Sequence, residues 1–258
     1  TKASMKKAVG DFLVQIDKQS PPRIVFVFYA GHGIQEGDKL FMVPGHANPT
    51  TPKELEDQCF SHEELFRELK AGLDDHIDVV DVLYLVMMDS CRITLGSGQI
   101  IQQEYSEEIH EPREGQRPGR WALCTSTSRG KVANDGQGQN SPFTNEILSD
   151  ECGLFQRNVQ MDHALKLTCR RMQAKGVQKP CLMPAHNIPE SLCMHRESHV
   201  SHDADFDIFL CYREGGVDSA LAGRLRDKLA SCDIEFNGTE KRRIRVFLTS
   251  SSGGPISV

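Results

Sequence analysis

The sequence predicts an α/β domain built around a mostly parallel sheet. Residues 5–16 have the apolar spacing of a helix, and Pro21 and Pro22 end that pattern just before the apolar run 24–28. The run 82–88 is almost wholly apolar, which is typical of a strand covered on both faces. Helices that alternate with short apolar strands form layered domains with parallel strands.

Further elements follow the same pattern along the chain. Ser61 and Glu64 have the spacing of a capping box, which predicts a helix that ends near Gly72. Residues 96–120 are polar and lack apolar periodicity, so we expect an exposed loop there. The other predicted elements are a strand at 121–125, helices at 143–148 and 161–172, and a strand at 181–183.

Composition excludes several classes of protein. The 258 residues are 38% hydrophobic, which is enough for a buried core, and the net charge of -6 gives no basic surface for nucleic acid. No apolar run approaches the roughly 20 residues of a membrane span, and no signal peptide is evident. Nine cysteines without a CxxC pair predict reduced thiols, so we expect a cytoplasmic protein.

A second unit begins after a polar, histidine-rich stretch. "DFDIFLCYRE" predicts a strand at 206–211, followed by a helix at 218–230 and a strand at 244–248. We therefore divide the chain into a domain at 1–190, a linker at 191–204 and a second unit at 205–258.

Two short motifs carry candidate catalytic residues. "VFYAGHG" places His32 after the run 24–28, and "VMMDSCR" places Cys91 at the end of the strand that starts near Val82. In open parallel sheets, ligands bind beyond the carboxyl ends of the strands, so the two side chains can meet there. A thiolate is a nucleophile, and an imidazole beside it takes up and returns a proton. The alternatives are a buried packing cysteine and a tight turn at the glycines.

The neighbouring residues fit the same chemistry. The backbone N–H groups of Gly33 and Cys91 can form an oxyanion hole, because a glycine lets a substrate carbonyl approach closely. Asp89 precedes Cys91 by two residues, so in a strand both side chains project from the same face. An acidic side chain would then line the pocket beside the nucleophile.

Four segments in order, "VFYAGHG", "FMVPGHANP", "MMDSCR" and "DGQGQNSPFT", resemble caspase-like cysteine peptidases of the C14 type, closest to paracaspases. The resemblance covers about residues 1–190 and implies a caspase-like three-layer sandwich. It implies His32 as general base and acid, Cys91 as nucleophile, and Gly33 with Cys91 as the oxyanion hole. A protein or peptide substrate is implied, with no cofactor and no metal.

The resemblance also bears on specificity. Caspases carry Gln in "QACRG", whereas Asp89 stands two residues before the nucleophile here, which implies cleavage after Arg or Lys. Asp135 is a second candidate acid, or an ordinary residue of an Asp-Gly turn. Three arginines of the polar loop are candidate self-cleavage sites, or simply solvated charges: Arg113, Arg117 and Arg120.

Members of such families begin with a strand, inside the sheet, that precedes the segment opening this chain. That strand is missing here, so we expect an open sheet edge with exposed ladder groups and apolar surface, in a chain that is unstable or paired with another chain.

Residues 205–250 resemble the opening of a TIR domain, its first strand, first helix and second strand. This implies a partial flavodoxin-like unit, association with other TIR-domain proteins or with itself, and a role in innate immune or cell-death signalling. Some TIR domains hydrolyse NAD, but the glutamate for that reaction lies beyond the matched region, and no residue is assigned to it.

Two readings of function remain. The first is a cysteine endopeptidase joined to a TIR module, and the second is a catalytically silent scaffold that binds partners. A cluster in the linker fits no closed metal motif, so no metal site is assigned to it: Cys193, His195, His199 and His202.

Overall fold

The computed structural model describes residues 1–15, 24–74, 82–95, 120–134, 140–149, 154–155, 159–184, 188, 205–212, 227, 233–236 and 240–250. The helices are α1 (Lys2–Gln15), α2 (Pro52–Gln58), α3 (His62–Asp74), α4 (Pro142–Ile147) and α5 (Met161–Ala174). The strands are β1 (Ile24–Glu36), β2 (Lys39–Val43), β3 (Phe60–Ser61), β4 (Leu83–Ser90), β5 (Arg120–Thr125), β6 (Cys181–Met183), β7 (Asp205–Tyr212), β8 (Asp233–Phe236) and β9 (Glu240–Ser250).

The main sheet is mixed and has the strand order β6-β5-β4-β1-β7-β9. Its neighbouring strands run parallel except at β6, which is antiparallel to β5. The α/β class and the predominantly parallel sheet are therefore confirmed. The three-layer arrangement and the flavodoxin-like TIR unit stay predictions.

Strand β1 alternates its side chains between two apolar clusters, one on each face of the sheet. Ile24, Phe26 and Phe28 belong to a cluster with residues of α4 and α5, and we call this side the α5 face. Val25 and Val27 belong to a cluster with residues of α1 and α3, on the side that we call the α1 face. All eight residues of β4 are buried, as its apolar run predicts.

The predicted capping box of α3 is present. The N–H of Ser61 donates to the Glu64 carboxylate at 3.1 Å, and the N–H of Glu64 donates to the Ser61 hydroxyl at 3.1 Å. Helix α2 was missed by the sequence analysis, although Thr51 and Glu54 have the same spacing and cap it in the same way. The signal for α2 was thus in the sequence.

Strand β1 is longer than expected. We expected it to end at Phe28, but it continues through His32 to Glu36 and pairs antiparallel with β2. The hairpin turns at Gly37, whose φ of 56° lies in the left-handed region that glycine tolerates. The tight-turn alternative for the Gly-His-Gly segment is therefore wrong, because β2 supplies backbone partners that keep the segment extended.

The second edge of β1 is also paired. Residues Phe26 to Ala30 lie beside Ile208 to Tyr212 of β7, so the expectation of an open edge is wrong for this stretch. The main sheet thus contains strands from both of the predicted units. The domain boundaries themselves stay a prediction. The helix expected at 218–230 lies outside the described residues, apart from Asp227. In the described part of the chain, no helix has the length and apolar character of a membrane span.

A buried histidine makes the fold sensitive to acid. The Nδ1 atom of His62 accepts the N–H of Leu40 at 3.2 Å, and the side chain is fully buried. Burial lowers the pKa of His62 to about 4, and the nearby charges of Arg92 and Lys39 act in the same direction. The unfolded chain has an ordinary histidine pKa of about 6.5. As the pH falls, the unfolded chain therefore binds a proton at His62 before the folded protein does.

We predict that wild type loses stability as the pH falls from 6.5 to 4, because protonation of His62 in this range favours the unfolded state. In this range, the contribution of His62 to the free energy of unfolding decreases by up to about 1.4 kcal/mol for each pH unit. His62→Asn keeps an acceptor for Leu40 and should lose that slope, as urea unfolding at several pH values would measure. The control His163→Asn, at an exposed position on α5, should keep it. Equal slopes for wild type and His62→Asn would contradict the assignment.

Candidate active site

The pairing of β1 with β4 sets the geometry of the site. Ala30 pairs with Asp89, Gly31 pairs with Ser90, and beyond the end of β4 Ile34 forms a bridge with Ile93. Each partner lies 59 residues further along the chain, and the same offset predicts that His32 lies opposite Cys91, the residue that follows the end of β4. Because neighbouring strands lie about 4.8 Å apart, we expect the two predicted catalytic residues to lie close together.

Alternation along the strands indicates a face for the candidate side chains. The α5-face residues of β1 are even-numbered and those of β4 are odd-numbered, so continued alternation predicts His32 and Cys91 on the α5 face. His32 is exposed and Cys91 is half-buried. The side chain of Asp89, two residues before Cys91, bonds to residues of α4 on this same face.

Glycine is required at position 33. A Cβ atom there would lie 2.3 Å from the carbonyl oxygen of Cys91 and 2.5 Å from the Ser90 hydroxyl oxygen. The N–H of Gln35 donates to the carbonyl of Ile93 at 2.8 Å. Since N–H directions alternate along a strand, the N–H of Gly33 is directed to the same side, toward Cys91. The role of Gly33 and Cys91 as oxyanion-hole donors stays a prediction.

The sulfur of Cys91 has a backbone donor. The N–H of Ala133 lies 3.3 Å from Sγ, and a donor at this position stabilises the negative charge of a thiolate. Two other thiols are poor nucleophiles: burial raises the pKa of Cys59 to about 11, and the pKa of Cys124 is also raised, by its hydrogen bond with Cys169 and by burial. The backbone donor beside Sγ is therefore the described feature of Cys91 that suits a reacting thiolate.

Tyr29 fixes the backbone of His32. Its buried hydroxyl lies 2.8 Å from the His32 carbonyl and 3.2 Å from the Val43 carbonyl, and donates to them. A Cβ at Gly31 would lie 2.7 Å from this hydroxyl, so the first glycine of the motif makes room for it. A small open depression borders His32 and is lined in part by Tyr29, Val43 and Pro44.

Beneath the catalytic pair, on the α1 face, lies the buried guanidinium of Arg92. Its Nε donates to Gln35 Oε1 at 2.8 Å, and its Nη1 donates to Thr125 Oγ1 at 3.3 Å and to the Thr127 carbonyl at 3.2 Å. The backbone of Arg92 also bonds to Lys131 and Gly130. No pattern in the sequence predicts this network, because nothing there distinguishes Arg92 from an arginine on the surface.

Asp89 lies in a polar pocket formed with α4. It is 7% exposed, and its Oδ2 accepts hydrogen bonds from the hydroxyls of Ser141 and, at 2.6 Å, Thr144. These two hydroxyls were also missed by the sequence analysis. The second candidate acid, Asp135, lies outside the described residues.

Other candidates from the sequence fall elsewhere. Arg120 is the first residue of β5 and pairs with Leu83, so a cut there would divide the sheet, which argues against its proposed role as a self-cleavage site in an open loop. Arg113 and Arg117, and the linker cluster of Cys193 with three histidines, lie outside the described residues. Within the described ranges no group of three or more metal-ligating side chains is found.

Comparison with known proteins shows which protein family the sequence matches. A family model described as the caspase domain, peptidase C14, matches residues 1–189. Among solved structures, the chain is similar to the crystal structure of caspase-1 from Spodoptera frugiperda, with 13% identity and a TM-score of 0.42 over 71% of this chain and 68% of that one. No curated protein matches the chain.

The close approach at Gly33 gives a direct test. We expect Gly33→Ala to lower the melting temperature, because its Cβ would overlap the Cys91 carbonyl and push the strands apart; the cost should be about 1–3 kcal/mol. Gly10→Ala is the matched control, since nothing lies within 4 Å of a Cβ at that position in α1. Alanine there should stabilise the helix by about 0.5–1 kcal/mol. Equal melting temperatures for Gly33→Ala and wild type would contradict the contact.

Proposed function

The chain belongs to the caspase domain family, a family of cysteine peptidases, and from this premise we propose that it is an endopeptidase that cuts proteins after arginine or lysine. The observation that carries the proposal is the constant register of β1 against β4, which brackets His32 and Cys91. This register supports the proposal that two residues 59 positions apart in the sequence meet beyond the carboxyl ends of β1 and β4.

Acylation is the first step of the proposed reaction. The Cys91 thiolate attacks the carbonyl carbon of the scissile bond, and the carbonyl electron pair moves onto oxygen. The N–H groups of Gly33 and Cys91 donate to that oxygen, which places fixed dipoles where negative charge develops. The tetrahedral intermediate then collapses: the C–N bond breaks, and protonated His32 gives its proton to the leaving amine.

Deacylation returns the enzyme to its starting state. Neutral His32 takes a proton from water, and the resulting hydroxide attacks the thioester carbonyl. The bond to Cys91 Sγ breaks, the acid product leaves, and the thiolate and the protonated imidazole are restored. The backbone donor from Ala133 stabilises the thiolate as leaving group in this step.

Asp89 supplies the proposed specificity for basic residues. Its carboxylate is nearly buried on the face of the sheet shared with His32 and Cys91. A charge in such a place attracts a guanidinium or ammonium group more strongly than an exposed one does, because less water screens it. Asp135 stays a second proposed acid for the same pocket.

For residues 205–258 we propose a TIR module that associates with TIR domains of other proteins or of a second copy, in cytoplasmic immune or cell-death signalling. The parallel pairing of β7 with β9, which contain the two strands predicted for this unit, supports it; β8 lies between them in the chain and pairs antiparallel with β9. The scaffold without activity remains the competing function, and the cleavage experiment below separates the two.

We predict that the purified chain cleaves acetyl-Ala-Ala-Ala-Arg coupled to a fluorogenic amine, faster than the peptides with citrulline or aspartate in place of arginine. Cys91→Ala should abolish cleavage and His32→Ala should reduce kcat by about 10³-fold, since they remove the nucleophile and its proton carrier. Asp89→Asn should reduce kcat/KM for the arginine peptide by roughly 30-fold or more and leave the citrulline peptide nearly unchanged.

The carboxylate control is Asp11→Asn, which removes an exposed acid paired with Lys7 on α1 and should change none of these rates. Cleavage after aspartate would contradict the basic specificity while keeping the catalytic pair. A folded wild-type protein that cleaves none of the three peptides would favour the scaffold.

A further inference from the structure

We infer that Ser141 and Thr144 are positioning residues, which aim the Asp89 carboxylate at the basic side chain of the substrate. The inference rests on the proposed function, because it takes Asp89 as the specificity-determining acid. It adds two residues that neither the sequence motifs nor the family match assigns to that role.

The two hydroxyls converge on a single oxygen. Both Ser141 and Thr144 donate to Oδ2 of Asp89, and the Thr144 bond is 2.6 Å long. Two donors on one oxygen restrict rotation of the carboxylate about its side-chain bonds, because turning it would break both bonds. Hydroxyls are neutral, so these two contacts orient the carboxylate without adding a compensating charge.

The proton of Ser141 is committed to this bond. The Ser141 oxygen accepts the N–H of Thr144 at 3.0 Å, so its own O–H is the group that is left to donate to Asp89. Thr144 is fully buried, and no water competes for its hydroxyl. Both hydrogen bonds therefore have a fixed direction: the hydroxyls of Ser141 and Thr144 donate, and Asp89 accepts.

Helix α4 is itself held in place by α5. Glu146, buried on α4, forms ion pairs with Arg171 and, at 2.6 Å, with Lys175. Burial alone would raise the pKa of Glu146, but Lys175 and Arg171 hold it below its usual value, so both pairs are charged near neutral pH. Because these ion pairs hold α4 in place, the hydroxyls of Ser141 and Thr144 keep their position above the sheet and hold Asp89 in one orientation.

The test replaces each hydroxyl and measures selectivity for charge. Arginine and citrulline have nearly the same shape, so the ratio of their kcat/KM values reports the recognition of charge by Asp89. Thr144→Val removes the hydroxyl at constant volume and should lower this ratio about tenfold, mainly through KM for the arginine peptide. Thr144→Ser restores a hydroxyl and should recover most of the ratio.

A matched control separates positioning from simple stability. Thr168 on α5 is also buried, and its hydroxyl has no hydrogen-bond partner among the described residues. Thr168→Val should leave the ratio at the wild-type value. Ser141→Ala should lower both the ratio and the melting temperature, since this hydroxyl also caps α4. A Thr144→Val protein that melts earlier but keeps the full ratio would overturn the inference.

Binding to the inactive protein distinguishes this inference from the proposed peptidase activity. Calorimetry with Cys91→Ala should show tighter binding of the arginine peptide than of the citrulline peptide, and Thr144→Val in that background should reduce the difference. If this holds while wild type cleaves nothing, the peptidase fails and the positioning role stands. If both peptides are cleaved and bound alike, the peptidase stands and the positioning role fails.

Discussion

The register between β1 and β4 is the constraint on which the candidate site depends. From Ile24 to Ile34 every paired residue of β1 faces a partner at the same offset along the chain. A slip of one residue would turn His32 or Cys91 to the other face of the sheet, because side chains alternate with a period of two. The apolar clusters on both faces oppose such a slip, since it would move buried side chains such as Phe26 and Leu85 out of their cluster.

The α1 face of the sheet reinforces this register just below the catalytic pair. Arg92 joins β4 to β1 through Gln35 and to β5 through Thr125, and all three side chains are fully buried. A buried guanidinium without these acceptors would be costly, so the network opposes movement of the loop that carries Cys91. The segment that carries Cys91, the proposed nucleophile, is therefore held in place by Arg92.

The sequence predicted the parts of the fold that local pattern determines. The all-apolar run of β4 and the capping box of α3 are visible in short windows of the sequence. The length of β1 was not predictable in that way. Glycines and a histidine read locally as a turn, and only the distant partner strand β2 makes them extended.

Contacts between distant residues were likewise beyond local pattern. Ser141 lies 52 residues from Asp89 and Thr144 lies 55 residues away, so their meeting depends on how α4 packs over the sheet. The pairing of β7 with β1 is a further case, because the apolar run of β7 predicts a strand but does not name its neighbour. Sequence pattern thus indicated the candidate catalytic residues, whereas their contacts with distant residues depend on tertiary packing.

The central claim is that His32 and Cys91 act as a pair, and the alkylation rate of Cys91 tests it without assuming a substrate. Wild type and His32→Ala would be treated with iodoacetamide from pH 5 to 9, and modification at each cysteine followed by mass spectrometry. We expect Cys91 of wild type to react about tenfold faster than Cys91 of His32→Ala near neutral pH, because the imidazole raises the thiolate population. Cys181, a half-buried free thiol, should react alike in both proteins. Superimposable pH profiles at Cys91 would contradict the pairing of the two residues.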